Sequence, residues 1–212
     1  SAYDHSEQMI ASVWRPHPAV PSTVRCASWQ HLPVADATFH AAVGDGSLNA
    51  LPDLDCYDSV LKELCRVLTP EARVAIRCFV RPDVPETLPE VVAALSAMQV
   101  GSFHALKWRI AMSLANVPGA AVPVASIHRA FGECFPSRAE LVRLTGWPEA
   151  LIDTIDVYQG SPTQYSFPTL DEIRETCRPY FDIAAVMHGT YELADRCPTL
   201  VLQRAQAGPL PA

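Results

Sequence analysis

Residues 39–80 read FHAAVGDGSLNALPDLDCYDSVLKELCRVLTPEARVAIRCFV, and the fold class turns on them. An apolar strand from Phe39 runs into the turn Gly44-Asp45-Gly46, a helix follows, and Val74-Ala75-Ile76-Arg77-Cys78-Phe79-Val80 makes a second strand. Within the helix, Tyr57, Val60, Leu61, Leu64, Val67 and Leu68 recur at three- and four-residue steps, which gives it one apolar stripe to lay on a sheet. Asp55 and Asp58 stand near its start, where negative charge suits the helix dipole, and Pro70 cannot continue it. Arg77 alone interrupts the second strand, a composition expected of a parallel strand covered on both faces. The unit is thus a βαβ crossover in a parallel sheet. Ligands of such sheets bind at the carboxyl ends of the strands, where Gly44-Asp45-Gly46-Ser47-Leu48-Asn49 lies.

Composition narrows the partners. With 212 residues and 49% hydrophobic, the chain can bury the core of one α/β domain with a cap. A formal charge of −7 puts no general basic footprint on the surface, which argues against nucleic acid and against an anionic membrane. No apolar run reaches membrane-spanning length and the amino end does not read as a secretory leader, so a cytoplasmic protein is expected. The seven cysteines are scattered without a C-x-x-C pair and read as free thiols acting as small hydrophobes. The histidines lack metal-ligand spacing, and no metal is expected.

Along the chain, residues 1–85 form the first part of the α/β core. Tyr3-Asp4 ends a strand, Ser6 caps a helix carrying Met9, Ile10 and Val13, and residues 23–27 make a short strand. Residues 86–160 read as a helical cap, with helices over 86–99, 101–116, 126–134, 137–145 and 148–158 and a break at 117–124. Residues 161–204 return to the core. After a loop at 161–168, Thr169 and Glu172 stand at capping-box spacing. Two last strands, 181–193 and 199–203, are joined by so short a turn that they must pair antiparallel. Residues 205–212 read as a tail.

Four blocks in this order, Tyr3-Asp4-His5-Ser6-Glu7-Gln8-Met9-Ile10, Leu32-Pro33-Val34-Ala35-Asp36-Ala37-Thr38-Phe39, Leu64-Cys65-Arg66-Val67-Leu68-Thr69-Pro70 and the antiparallel final pair, resemble the class I S-adenosylmethionine-dependent methyltransferases. The resemblance implies a Rossmann-like sheet, mostly parallel with an antiparallel final strand, and S-adenosylmethionine as cofactor. It implies that Asp4, with His5 beside it, holds the ribose, since a carboxylate can accept from both vicinal hydroxyls. Ser28 stands where the family commonly has an Asp facing the adenine amino group, and Trp29 could pack on the adenine ring. Gly44, Asp45 and Gly46 would meet the methionine end of the cofactor and the acceptor. Asp45, His104 and His128 are candidates for deprotonating or orienting the acceptor.

The family's first strand and glycine-rich loop find no counterpart, and no G-x-G-x-x-G occurs. The expected fold is therefore N-terminally incomplete: spatial order 23–27, 1–4, an unfilled position, 39–45, 73–80, 198–204 and 182–193, with cofactor binding weak or lost in this chain. The leading reading is methyl transfer to a small-molecule acceptor by a protein that could form a homodimer. The alternative is a non-catalytic methyltransferase-like interaction module, and a nicotinamide oxidoreductase is disfavoured by the antiparallel ending.

Overall fold

The computed structural model describes residues 1–115 and 121–205. The first strand, β1 (Ala2–Asp4), leads through Ser6, whose hydroxyl accepts the Met9 N–H, into helix α1 (Glu7–Val13). Strand β2 (Val24–Cys26) lies parallel to β1. Strand β3 (Phe39–Asp45) passes through a 3-10 turn into helix α2 (Leu54–Val67), capped by Asp53, which accepts the Cys56 N–H. Strand β4 (Leu68–Arg77) returns parallel to β3.

The cap follows. It holds α3 (Leu88–Ser96), α4 (Phe103–Ser113), the two-residue β5 (Val122–Pro123), α5 (Val124–Cys134), α6 (Arg138–Thr145) and α7 (Glu149–Ile152) with a 3-10 extension to Tyr158. Part of the expected break at 117–124 lies outside the described residues, and Val124 already belongs to α5. Strand β6 (Gln164–Tyr165), read from sequence as loop, pairs with β5. Helix α8 (Leu170–Cys177) opens with the expected Thr169–Glu172 capping box. Strands β7 (Phe181–Met187) and β8 (Thr199–Arg204) close the chain, and β7 stops six residues short of the expected end.

The strands fall into two ladders, β2–β1 and β3–β4–β8–β7, with β8 antiparallel to both β4 and β7. Strands β1 and β3 flank one cleft yet share no ladder, as the expected order requires. Two sequence readings need correction. The strand expected over residues 73–80 starts earlier and stops sooner: β4 runs from Leu68, directly on the helix end, to Arg77, with an irregular register between Phe39 and Ala41 of its partner. The expectation that both sheet faces are covered also fails at β3 and β4. Ala72, Val74 and Ile76 are buried beneath α2 and α8, while Arg73, Ala41 and Val43 on the other face are exposed, Val43 at 87%.

Two apolar clusters result. Tyr57, Val60, Leu61 and Val67 of α2 pack with Val74 and Ile76 of β4, Ile173 and Cys177 of α8, and Leu200 and Leu202 of β8. The cap has a second core around Phe103, Leu106, Ile110, Ile127, Phe131, Ile152 and Ile155, and Phe167 belongs to it. Each such side chain, fully buried, contributes roughly 1.5–3 kcal/mol.

Candidate functional site

One cavity runs along β3 from Phe39 to the turn at Ser47 and another lies at the carboxyl end of β4, and the sequence explains why each is there. The first, about 380 Å³, opens between β1 and β3 and is lined by Tyr3, Trp29, Ala41, Val43, Gly44 and Ser47, among others. Trp29 is pinned there because its indole N–H donates to the Tyr3 carbonyl at 2.6 Å. The loop that carries it is held on α2 by Arg66, whose guanidinium donates to the carbonyls of Leu32 and Val34 and to the carboxylates of Asp36 and Glu63. Glu63 completes the anchor by accepting the Leu32 N–H at 2.7 Å. The Arg66 guanidinium beside it holds the Glu63 carboxyl below the usual range, outweighing the opposite pull of burial. One arginine thus ties the Leu32–Phe39 block to the Leu64–Pro70 block.

Asp4 ends β1 with its Oδ1 accepting the Ser6 N–H at 2.7 Å, and Oδ2 has no partner among the described residues. His5 lies beside it, Nδ1 at 3.8 Å from that Oδ1, and its ring meets Trp29 edge-on at 6.5 Å. Ser28 is exposed and its hydroxyl accepts the Gln30 N–H in a local turn, so it offers a weaker acceptor than the carboxylate it replaces. At the end of β3 the backbone closes tightly: a Cβ at Gly44 would sit 2.4 Å from the Ser47 hydroxyl oxygen. Gly46 has φ +62°, and a Cβ there would strike the Phe79 ring at 2.6 Å, so both its conformation and its space call for glycine. A free carboxylate oxygen at one strand end, an indole beside it and a glycine turn across the cleft fit the ribose and adenine half of an adenosyl cofactor.

The second cavity, also about 380 Å³, lies between the exit of β4 and the cap. Phe79 and Trp108 stack there with centroids 4.6 Å apart, and Arg77, His104, Tyr191 and Glu192 supply its polar lining. Phe79 is fixed by Asn49, whose side chain accepts the Phe79 N–H at 2.8 Å and donates to its carbonyl at 2.7 Å. Cys197 also lines this cavity, and burial pushes its thiol up to about 11, which keeps it protonated and inert.

Of the three acceptor-side candidates, His104 alone lines this cavity. Asp45 is already paired: it makes a bidentate contact with Arg77 at 2.6 and 2.7 Å, which in turn raises the guanidinium above its ordinary value. His128 is placed elsewhere, on α5, with Nε2 3.2 Å from Asp156 in a surface cluster with Arg138 and Asp153, and it lines neither cavity. Sequence reading missed Arg77 and Phe79 as site residues. The signal was present, since an arginine inside an otherwise apolar strand must have a partner or reach water.

Residues 1–76 match a family model described as methyltransferase domain. No curated protein matches the sequence. Among solved structures, one described as a candidate zinc-dependent alcohol dehydrogenase of Rhodobacter sphaeroides is similar with a TM-score of 0.57 at 8% identity, covering 96% of this chain and 75% of that one. A SAM-dependent methyltransferase of Methanosarcina mazei gives 0.48 at 16% identity, covering 95% and 80%. A protein of Pyrococcus horikoshii gives 0.48 at 14%, covering 96% and 70%. At such identities the Rhodobacter likeness speaks for a shared Rossmann-like architecture alone, an architecture that hosts many chemistries. The family match runs from β1 to Ile76 of β4, with Asp4, the Arg66-anchored loop and the glycine turn all inside it, so this part of the chain is similar to a methyltransferase domain.

Proposed function

We propose that the protein transfers a methyl group from S-adenosylmethionine to a small-molecule acceptor. The observation that carries this reading is that the cleft between β1 and β3 and the aromatic cavity meet at one turn, residues 44–47: Gly44 and Ser47 line the first, and Gly46 abuts the Phe79 ring of the second. When bound, the cofactor supplies an electrophilic methyl carbon on a positively charged sulfur. The chain's own residues then have three tasks. Asp4 would hold the ribose through its free oxygen, and Trp29 would cover the base. The close backbone at Gly44 and Gly46 would let donor and acceptor approach, so that rate comes chiefly from proximity and alignment. Arg77 and Asp45 neutralise each other across β3 and β4 and fix the mouth of the acceptor cavity.

The free cysteines support a reducing, cytoplasmic setting. Among the described residues no helix is long and apolar enough to cross a membrane.

The test is calorimetric titration with S-adenosylhomocysteine. Because the β1 and β3 edges leave the cleft open where the methionine portion would lie, binding is expected near 10⁻⁴ M, about −5.5 kcal/mol. Asp4→Ala should weaken it about tenfold through loss of a charge-assisted bond. Heat from neither S-adenosylhomocysteine nor S-adenosylmethionine would sink this reading. The exposed Val43 and the β1 and β3 edges, which have no partner strand among the described residues, favour one other reading, a non-catalytic module that pairs with a partner's strand or with a second copy of itself. Size-exclusion chromatography across a concentration series decides whether a homodimer forms.

A further inference from the structure

The cavity between β4 and the cap says more about the acceptor than its size. We propose that it takes a hydroxylated aromatic without a carboxylate, one or two rings in extent, whose ring lies against the Phe79–Trp108 pair and whose hydroxyl faces His104. This proposal rests on the methyl-transfer reading and names its acceptor class.

Three observations carry it. The volume, about 380 Å³, is near the lower end of ligand sites and suits a small planar molecule. The apolar side of the lining, Phe79 and Trp108 with Ala105 and Leu193, offers aromatic edges that a ring can meet edge-on or offset. The charge balance then argues against an anionic ligand. Arg77 is already satisfied by both oxygens of Asp45, and Glu192, whose carboxylate accepts the Gly101 N–H at 2.6 Å, adds negative charge, so no free positive charge is offered to draw a carboxylate ligand. Such a ligand would have to shed its water without a partner, which is costly. A ligand with a weakly acidic hydroxyl is not penalised in this way.

Of the other lining groups that can take up or release a proton, Cys197 is kept protonated by burial and Tyr191 is reached by the Arg77 guanidinium, whereas His104 makes no hydrogen bond among the described residues. It stands in the first turn of α4, whose amino end also favours developing negative charge on an acceptor oxygen. In the reaction the oxygen's electron pair forms the new O–C bond as the donor's S–C bond breaks. The donor's positive charge is quenched, and the hydroxyl proton passes to the His104 imidazole. No oxidant or further reactant is needed.

The experiment uses 4-nitrophenol, whose visible absorption reports its ionisation, titrated into the 212-residue protein with and without saturating S-adenosylhomocysteine. Binding should quench tryptophan fluorescence, and bound 4-nitrophenol should ionise about tenfold more readily than free 4-nitrophenol. His104→Gln should keep the affinity within about threefold and abolish that ionisation shift. Trp108→Leu should weaken binding about tenfold, and its melting curve shows whether the cap is intact. The proposal is overturned if benzoate binds as tightly as 4-nitrophenol, or if His104→Gln leaves the shift in place. Because the optical readout needs no cofactor, failure here leaves the cofactor reading to its own calorimetry, and failure there leaves this cavity's chemistry standing.

Discussion

No side chain between Ser1 and Thr38 is buried, whereas the cap from Leu88 to Phe167 is built on a core of its own, with Phe103, Leu106, Ile110 and Ile127 fully enclosed. The contrast runs against the family likeness. The first region lies inside the match and carries Asp4, Ser28 and Trp29; the second lies outside it. What holds residues 1–38 is a three-residue parallel ladder, the Trp29 bond to Tyr3 and the Arg66 anchor, with only partly buried apolar contacts from Trp29, Leu32 and Val34 beside them. What holds the cap is apolar area. The lesson is that the residues marking the family are here the least supported by packing, so the cofactor side should be the labile half and the acceptor side the rigid one.

The harshest way to break this contrast is Phe103→Ala, which removes a fully buried ring in edge contact with Phe131 and Trp147. It should cost about 3–5 kcal/mol in urea denaturation, while Trp29→Ala should cost about 1 kcal/mol. Equal losses would show that residues 1–38 are better packed than their burial indicates. Next in size is Glu86→Gln. Glu86 is clasped by Arg109 and by Arg196, the latter at 2.9 Å, with all three side chains less than a fifth exposed. Its loss strands two sequestered guanidinium groups and should cost about 2 kcal/mol, since breaking one side of such a pair leaves charge unpaired.

Acid sharpens the comparison. Burial opposes ionisation of Glu86, but the bonds from Arg109 and Arg196 outweigh it and hold the carboxyl low, as Arg66 does for Glu63. Both contributions are therefore present above the unfolded glutamate value, near pH 4.3, and are lost as pH falls through the lower folded values. Hydrogen exchange near pH 4 should show the loop at residues 31–36 loosening, by about 1 kcal/mol, before the amides of α4 and α5 respond. Simultaneous loss would mean that the cap depends on Glu86 as much as the loop depends on Glu63. The smallest effect is Ser28→Asp, which adds a charged acceptor at the cleft. It should tighten S-adenosylhomocysteine about threefold with no change in melting temperature.

Much of this was legible in advance. The strand order, the split between β1 and β3, and the capping at Ser6 and Thr169 all follow from periodicity, turn residues and the resemblance. What the sequence hid were long-range polar choices. Nothing local to Asp45 signals that its partner is Arg77 on the next strand, and nothing near His128 signals Asp156. Asn49 is one polar residue among many, yet it serves as a surrogate strand for Phe79 and reaches Ser166 as well. The open face at Ala41 and Val43 was hidden for another reason. Both residues are as apolar as a doubly covered strand demands, and only coordinates reveal that α2 and α8 take the other side.

The Arg109–Glu86–Arg196 clasp bears on how molecules come and go. Glu86 sits in the link between β4 and α3, Arg109 belongs to the cap, and Arg196 lies in the turn before β8, so the cap is riveted to the sheet at the point where a hinge would otherwise be. A cap held there is a wall, not a door. Traffic through the acceptor cavity should then depend on side-chain rotation, foremost at the half-exposed Tyr191 ring that leans on Gly189, a nanosecond event and not a micro- to millisecond domain motion. Under the methyl-transfer reading turnover should be paced by chemistry or by the cofactor side, and viscosity should barely touch acceptor exchange.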